Sequence, residues 1–209
     1  MSSLLNIAVQ VGYAPAMAEF TESLTDKHIG FIEKQPVFFT ATAAADARIN
    51  LSPKGLDTFR ILSPTEVAYL DLGGSGNETH AHLVADGRIT VMFCGFEQPA
   101  NILRIYGRGT PVLPQDNGWN ELSAHFELLP GTRQIFRIAV DSVQTSCGWG
   151  VPLMHVNRPR DTLTKAHENA DGEAWVEKSQ SRTTSIDGLP VRPTDRYFGP
   201  DGGRGAKSL

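Results

Sequence analysis

What most constrains this chain is how often its β-like runs are cut. Between Val37 and Val143, six or seven segments rich in β-branched and aromatic residues are separated by Gly, Pro, Asn or Ser breaks, with few helical patterns between them. Strands this short and this often interrupted argue for an antiparallel barrel rather than a doubly wound sheet. The runs are Val37–Ala43, Ala47–Ser52, Phe59–Leu62, Glu66–Leu72, Arg88–Phe96, Ile102–Leu113 and Gln134–Val143. Gly107 and Gly109 inside the longest run predict a bulge or a close approach. A helix is expected after Thr25 or Asp26, which can cap it, and Pro36 stops it. Further helical patterns cover Asn77–Ala85 and Gly118–Leu129, and a polar one broken at Gly172 covers Arg160–Ser179.

Domain organisation follows from the same pattern. The 209 residues suit one domain, or at most two. Residues 21–145 form the expected barrel and 146–190 a C-terminal extension. Residues 1–20 read as an extended arm and 191–209 as a flexible, Gly- and Arg-rich tail. The N-terminus lacks the basic region of a signal peptide, and no window has the unbroken apolar length of a membrane helix. A formal charge of −4 lacks the basic footprint of a nucleic-acid binder and gives no attraction to an anionic membrane. Two distant cysteines, Cys94 and Cys147, make neither a disulfide framework nor a zinc site. The expected compartment is the cytoplasm.

Two polar turns carry the candidate chemistry. In Asn50-Leu51-Ser52-Pro53-Lys54-Gly55, alternation puts Asn50 and Ser52 on one side of a strand, with Lys54 able to reach the same side. Amide, hydroxyl and ammonium together suit a phosphate or the polar edge of a heterocycle. The alternative is a solvated strand end before a turn. In the second, Gly73-Gly74-Ser75-Gly76 leads into a helix start at Asn77, Glu78 and Thr79. Such a start offers unpaired N–H groups to an anion. No Lys-Ser/Thr follows, so it is not a Walker A loop, and Glu78 is equally suited to capping the helix dipole.

His80-Ala81-His82, with Gly74 before and Asp86 after, mimics the first metal motif of cupin barrels. On a strand both imidazoles would face one side; on a helix they diverge. The surrounding pattern favours a helix. Cys147 has no activating His nearby in sequence and reads as a small, semi-buried cysteine. Trp149, between glycines, suits either stacking on a planar ligand or plugging the core. No His, Tyr or carboxylate stands out as an obligatory acid or base.

These segments, in the order VFFTATA, RINLSPKG, VAYLDLGGSGNETHAHL, GRITVMF and ILRIYGRG, resemble the pyridoxamine 5'-phosphate oxidase-like family of FMN-binding split barrels. The closer similarity is to a subgroup carrying S-C-G-x-G-V-P, here Ser146–Pro152, and S-I-D-G-L-P, here Ser185–Pro190. The resemblance implies a mainly β fold, a six-stranded antiparallel split barrel with a C-terminal helical extension. It also implies a homodimer with two FMN sites at the subunit interface. The strand with Asn50, Ser52, Pro53 and Lys54 would lie along the flavin ring and phosphate, and Leu70 and Asp71 would present backbone to the ring. Asn77, Glu78 and Thr79 fall where the true oxidases carry phosphate ligands, and Trp149 falls near a tryptophan contributed by the partner subunit. Glu78 stands in place of a basic residue, which shifts phosphate neutralisation to Lys54, Arg48, Thr79 and helix N–H groups. The pattern that holds pyridoxal substrate in the true oxidases is missing, so the expected function is an FMN-dependent oxidoreductase on another small molecule. The alternatives are a flavin-binding carrier or sensor without turnover and, less favoured, a cupin-like metal enzyme using His80 and His82.

Overall fold

The computed structural model describes residues 18–200. Eight antiparallel strands form one sheet: β1 (Glu19–Thr21), β2 (Phe38–Thr42), β3 (Asn50–Lys54), β4 (Phe59–Ser63), β5 (Glu66–Leu72), β6 (Arg88–Cys94), β7 (Asn101–Val112) and β8 (Thr132–Cys147). The helices are α1 (Asp26–Ile32), α2 (Glu78–Ala85), α3 (Trp119–Ser123), α4 (Thr162–Glu168) and α5 (Gly172–Gln180). The strand count is thus eight among the described residues, not six. Part of the difference is β1, which places Glu19 and Phe20 of the expected arm against Thr145 and Gln144 of β8. The rest of that arm, residues 1–17, lies outside the described residues, as does 201–209 of the expected tail.

The hydrogen-bonded order is β3-β2-β6-β7-β8-β5-β4, with β1 also on β8. β3 and β4 are consecutive in sequence yet stand at opposite ends of that order. The sheet therefore curls until its two ends face each other, without a ladder closing them. Side chains bridge the split. Phe38 on β2 lies 5.2 Å, centroid to centroid, from Phe59 on β4, and Phe59 lies 5.1 Å from Phe93 on β6. Such edge-to-face aromatic contacts add about 0.5–1.5 kcal/mol each beyond the area they bury.

β5 shows why this sheet has two cores. Val67 and Tyr69 face the barrel interior with Phe38, Phe93 and Phe136, whereas Ala68 and Leu70 face an outer cluster with Trp119, Leu122, Phe126 and Phe198. Both faces are covered, and every residue from Val67 to Asp71 is buried. β7 bulges between Tyr106 and Gly107, where a Cβ would strike the Ala139 carbonyl, and a Cβ at Gly109 would meet the Leu83 side chain at 2.8 Å. Both glycines are required by close approach, as the sequence suggested.

Four expectations are corrected. The first polar turn, expected within Asn50–Gly55, begins only at Gly55, because β3 runs on through Pro53 and Lys54. Pro53 is tolerated because β3 is an edge strand whose missing N–H costs no ladder bond. The helix expected over Gly118–Leu129 is confined to Trp119–Ser123. The chain then turns to seat Phe126 in the outer cluster, beneath the Arg60 guanidinium at 5.2 Å. Cys147 ends β8 and is exposed rather than semi-buried. The tail from Val191 is not loose up to residue 200: Val191, Thr194 and Phe198 are buried, and Phe198 stacks on Trp119 at 5.6 Å.

Candidate functional site

The site grows from α2 and the strands around it. The apolar–polar alternation of β5 breaks at Gly73, whose N–H bonds the Gly131 carbonyl at 2.8 Å. Asn77 then opens α2, without capping it through its side chain. That amide is used elsewhere: Gln134 on β8 donates to Asn77 Oδ1 at 2.7 Å and to Asp71 Oδ2 at 2.9 Å.

Asp71 is the hub. Its carboxylate is buried and receives Arg133 Nη2 at 2.7 Å and Arg133 Nε at 3.0 Å, while Lys54 Nζ stands 3.6 Å away. Burial alone would raise the Asp71 carboxyl, but Arg133, then Lys54, then the bonds from Gln134 and Arg133 hold it below the usual carboxylate range. Two cations against one carboxylate leave a surplus positive charge at this point. Arg133 also donates to the Gly76 carbonyl at 2.9 Å, tying the glycine turn to β8.

The other half of the cluster is neutral. On β3, Asn50, Ser52 and Lys54 point to one side, as alternation required, and the exposed Leu51 and Pro53 point away. Asn50 Nδ2 donates to Thr79 Oγ1 at 3.0 Å and to Thr42 Oγ1 at 3.1 Å, and Ser52 Oγ donates to Asn50 Oδ1 at 3.2 Å. Beneath them Tyr69 is fully buried, with Lys54 Nζ 5.9 Å from its ring centre. Burial and the nearby Asp71 charge push the Tyr69 phenol well up, so it stays a neutral donor. The hydroxyls of Thr79 and Thr40 lie close enough to the Tyr69 phenol to offset part of that rise, whereas His82 Nε2 is buried without a hydrogen-bond partner.

α2 separates the two histidines as a helix must. His80 Nε2 accepts the Arg192 N–H at 3.1 Å, which leaves Nδ1 to donate to Gln134 Oε1 at 2.7 Å. Burial first, despite the Gln134 bond, lowers the His80 pKa and keeps the ring neutral. His82 instead meets Thr42 Oγ1 at 3.1 Å on β2. The imidazoles do not converge on one point.

The C-terminal extension closes over the glycine turn. His167 Nε2 bonds the Gly73 carbonyl at 2.9 Å, and Arg182 Nη1 donates to the Gly74 carbonyl at 2.7 Å. The Ser185–Pro190 turn is compact, with Ser185 N–H on the Leu189 carbonyl at 2.8 Å. It captures two expected phosphate-side residues. Arg48 pairs with Asp187 through both its backbone N–H and its guanidinium, and Glu78 accepts the Ile186 N–H at 3.3 Å. Between extension and glycine turn lies a cleft of about 660 Å³.

The structure therefore brings together Asn50, Ser52, Lys54, Asp71, Asn77 and Thr79. It does not bring in Arg48, which is turned to Asp187; of Leu70, expected to present backbone, the N–H is already bonded to the Thr58 carbonyl and the side chain faces the outer core. Pro53 points outward, and Glu78 belongs to the cleft. Trp149 is 57% exposed and so is no core plug. It follows the far end of β8 from Gln134, about thirteen residues or ~40 Å along the strand. Arg133 and Gln134 were not singled out from sequence. Their signal was a charged and an amide residue at the start of an otherwise apolar run, two positions that the pairing of β8 with β5 sets beside Asp71.

Taken together, these features define a split-barrel protein with a surplus-cationic, donor-rich site where an edge strand meets a helix start. The family model for pyridoxamine 5'-phosphate oxidase matches residues 24–147. A pyridoxamine 5'-phosphate oxidase family protein of Aspergillus flavus, ustO, is 36% identical over 193 residues, 83% of this chain and 78% of that one. The chain belongs to the pyridoxamine 5'-phosphate oxidase family. Among solved structures it is similar to HupZ of Group A Streptococcus (TM-score 0.45, 16% identity, 57% of this chain and 91% of that one). It is also similar to an FMN-binding protein of Syntrophomonas wolfei (TM-score 0.43, 10% identity, 55% and 80%). No helix among the described residues is long and apolar enough to cross a membrane.

Proposed function

We propose that the chain binds FMN and acts as an oxidoreductase on a small molecule other than pyridoxamine phosphate, as a homodimer with the flavin at the subunit interface. The observation that carries this reading is the convergence of Lys54 and Arg133 on the single carboxylate of Asp71, beside Asn50, Ser52 and Thr79. Family membership supports it.

The residues fit the group. A phosphate needs positive charge and N–H or O–H donors. Lys54, Arg133, Thr79 and the first N–H groups of α2 supply these, while Arg48 and Glu78 are engaged by the Ser185 turn. Asn50 Oδ1 and Ser52 Oγ keep lone pairs for the N–H edge of a heterocycle, their own hydrogens being taken by Thr42, Thr79 and Asn50. Bound flavin supplies hydride or electron transfer. The chain's part is to bind and orient. Asp71 holds Lys54 and Arg133 in place, and Gln134 fixes Asn77 at the helix start. Tyr69, kept protonated by burial, can donate but not act as a base near neutral pH.

Position supports an interface site. β3 is an edge of the sheet, and Leu51 on its outer side and Ile49 just before it are 65% and 79% exposed. Trp149 follows the far end of β8 from the Asp71 cluster, which supports a contribution to the flavin from the second subunit.

The test is a titration of flavin-free protein with FMN, with the oligomeric state followed by light scattering. The reading expects one FMN per chain in a dimer, and bleaching of bound flavin by a nicotinamide nucleotide. Binding without reduction by nicotinamide nucleotides or candidate substrates would favour a carrier or sensor. Absence of FMN binding would overturn the reading.

A further inference from the structure

The cleft beneath the C-terminal extension has a wall that a lone flavin phosphate does not require. α5 buries none of its residues. Short helices usually owe their stability to an apolar face packed on the body. Here Trp175 packs on the body, and the face it shares with Lys178, Ser179 and, just past the helix, Arg182 lines the cleft. An indole, an ammonium, a hydroxyl and a guanidinium are turned toward an open volume of about 660 Å³, within the range of small-molecule sites.

The indole is fixed in place. A Cβ at Gly73 would come within 2.7 Å of the Trp175 ring, so only glycine lets the indole lie against the turn. Its ring centre is 6.2 Å from His167 and 5.5 Å from Tyr197. The charges have a direction. Arg133 is already engaged by Asp71, and the carboxylate of Glu78 folds back over Gly76 and accepts the Ile186 N–H. The positive charge left for a ligand comes from Lys178 and Arg182; Arg182 donates one N–H to Gly74, and a guanidinium carries five.

We propose that this cleft binds the base and phosphates of a nucleotide, with the base against Trp175 and the phosphates at Lys178 and Arg182. The same chemistry has two sources: the adenylate half of a dinucleotide flavin reaching past Asn77, or a separate nucleotide. Only the first rests on the flavin reading.

The experiment titrates flavin-free protein with ADP, read by tryptophan fluorescence and calorimetry, for the parent, the double variant Lys178→Ala/Arg182→Ala, and Trp175→Phe. ADP should bind saturably to the parent and at least tenfold more weakly to the double variant, about 1.4 kcal/mol or more. Trp175→Phe should lose most of the fluorescence change. Both side chains are exposed, but Arg182 holds the Gly74 carbonyl, so the double variant should lose no more than about 6 °C in melting temperature, and Lys178→Ala alone should leave it unchanged. If FAD binds more tightly than FMN and the double variant makes them equal, the source is the dinucleotide. If ADP binds FMN-loaded and FMN-free protein alike and FAD has no advantage, the source is a second nucleotide. No saturable ADP binding, or binding untouched by the double variant, overturns the proposal. FMN binding measured alongside would show that the flavin reading survives.

Discussion

Asp71→Asn is the most informative single substitution, because it changes a charge and almost nothing of the shape. The carboxylate is 4% exposed and is the shared partner of Arg133 and Lys54, whose side chains are 13% and 25% exposed. Removing one partner of a buried ion pair costs about 3–5 kcal/mol, since the other charge stays behind without compensation. Partial exposure of both cations puts the loss near the lower bound, about 3 kcal/mol. For a chain of this size that is a fall of ~6–12 °C in melting temperature at neutral pH. The sign with pH follows from the depressed carboxyl. Its contribution is full above the unfolded carboxylate range of about pH 4 and is lost as pH falls through the lower folded value. The gap between parent and variant should therefore be constant from pH 8 to pH 5 and narrow below about pH 4. Thermal unfolding followed by circular dichroism across that range reads both quantities. A gap under about 2 °C at neutral pH, or one that widens on acidification, would refute the reasoning that this ion cluster is a stabilising hub.

Three further outcomes are expected. Lys54→Ala should weaken FMN binding about tenfold or more by removing a cation from the phosphate, read by fluorescence titration; unchanged affinity would take Lys54 out of the site. Trp149→Ala should raise the fluorescence of bound flavin, since stacking quenches it, and an unaltered emission would show that no Trp149 reaches the ring. Gly131→Ala should cost at least ~1 kcal/mol by thermal unfolding, because the position has φ +75° and a Cβ there meets the His167 ring. It should also loosen the extension, read as faster proteolysis between α4 and α5.

The parts of the fold that could be read from sequence are those decided locally. The Glu66–Leu72 alternation ended where Gly73 broke it, and Thr25 capped α1 with His28 closing the box. Asn50, Ser52 and Lys54 came out on one side because a strand has a period of two whatever surrounds it. What escaped depended on distant pairing. Arg133 and Gln134 gain their roles only because β8 pairs with β5 some sixty residues earlier. Arg48 looked like a phosphate ligand until the Asp187 turn, 139 residues on, took its guanidinium. Phe198 sits in a segment whose composition resembles a loose tail, yet one aromatic stacked on Trp119 anchors it. Composition averages over a window, whereas burial can be decided by a single side chain.

The central claim is that the cluster around Asp71 holds a flavin. The most direct measurement is the absorption spectrum of the purified protein after saturation with FMN and removal of excess, together with the identity of the chromophore released on denaturation. The account predicts a yellow protein with the two-band flavin spectrum, one FMN released per chain, and less flavin retained by Lys54→Ala after the same removal of excess. A protein that stays colourless after FMN loading, or one whose colour is indifferent to Lys54, would contradict it.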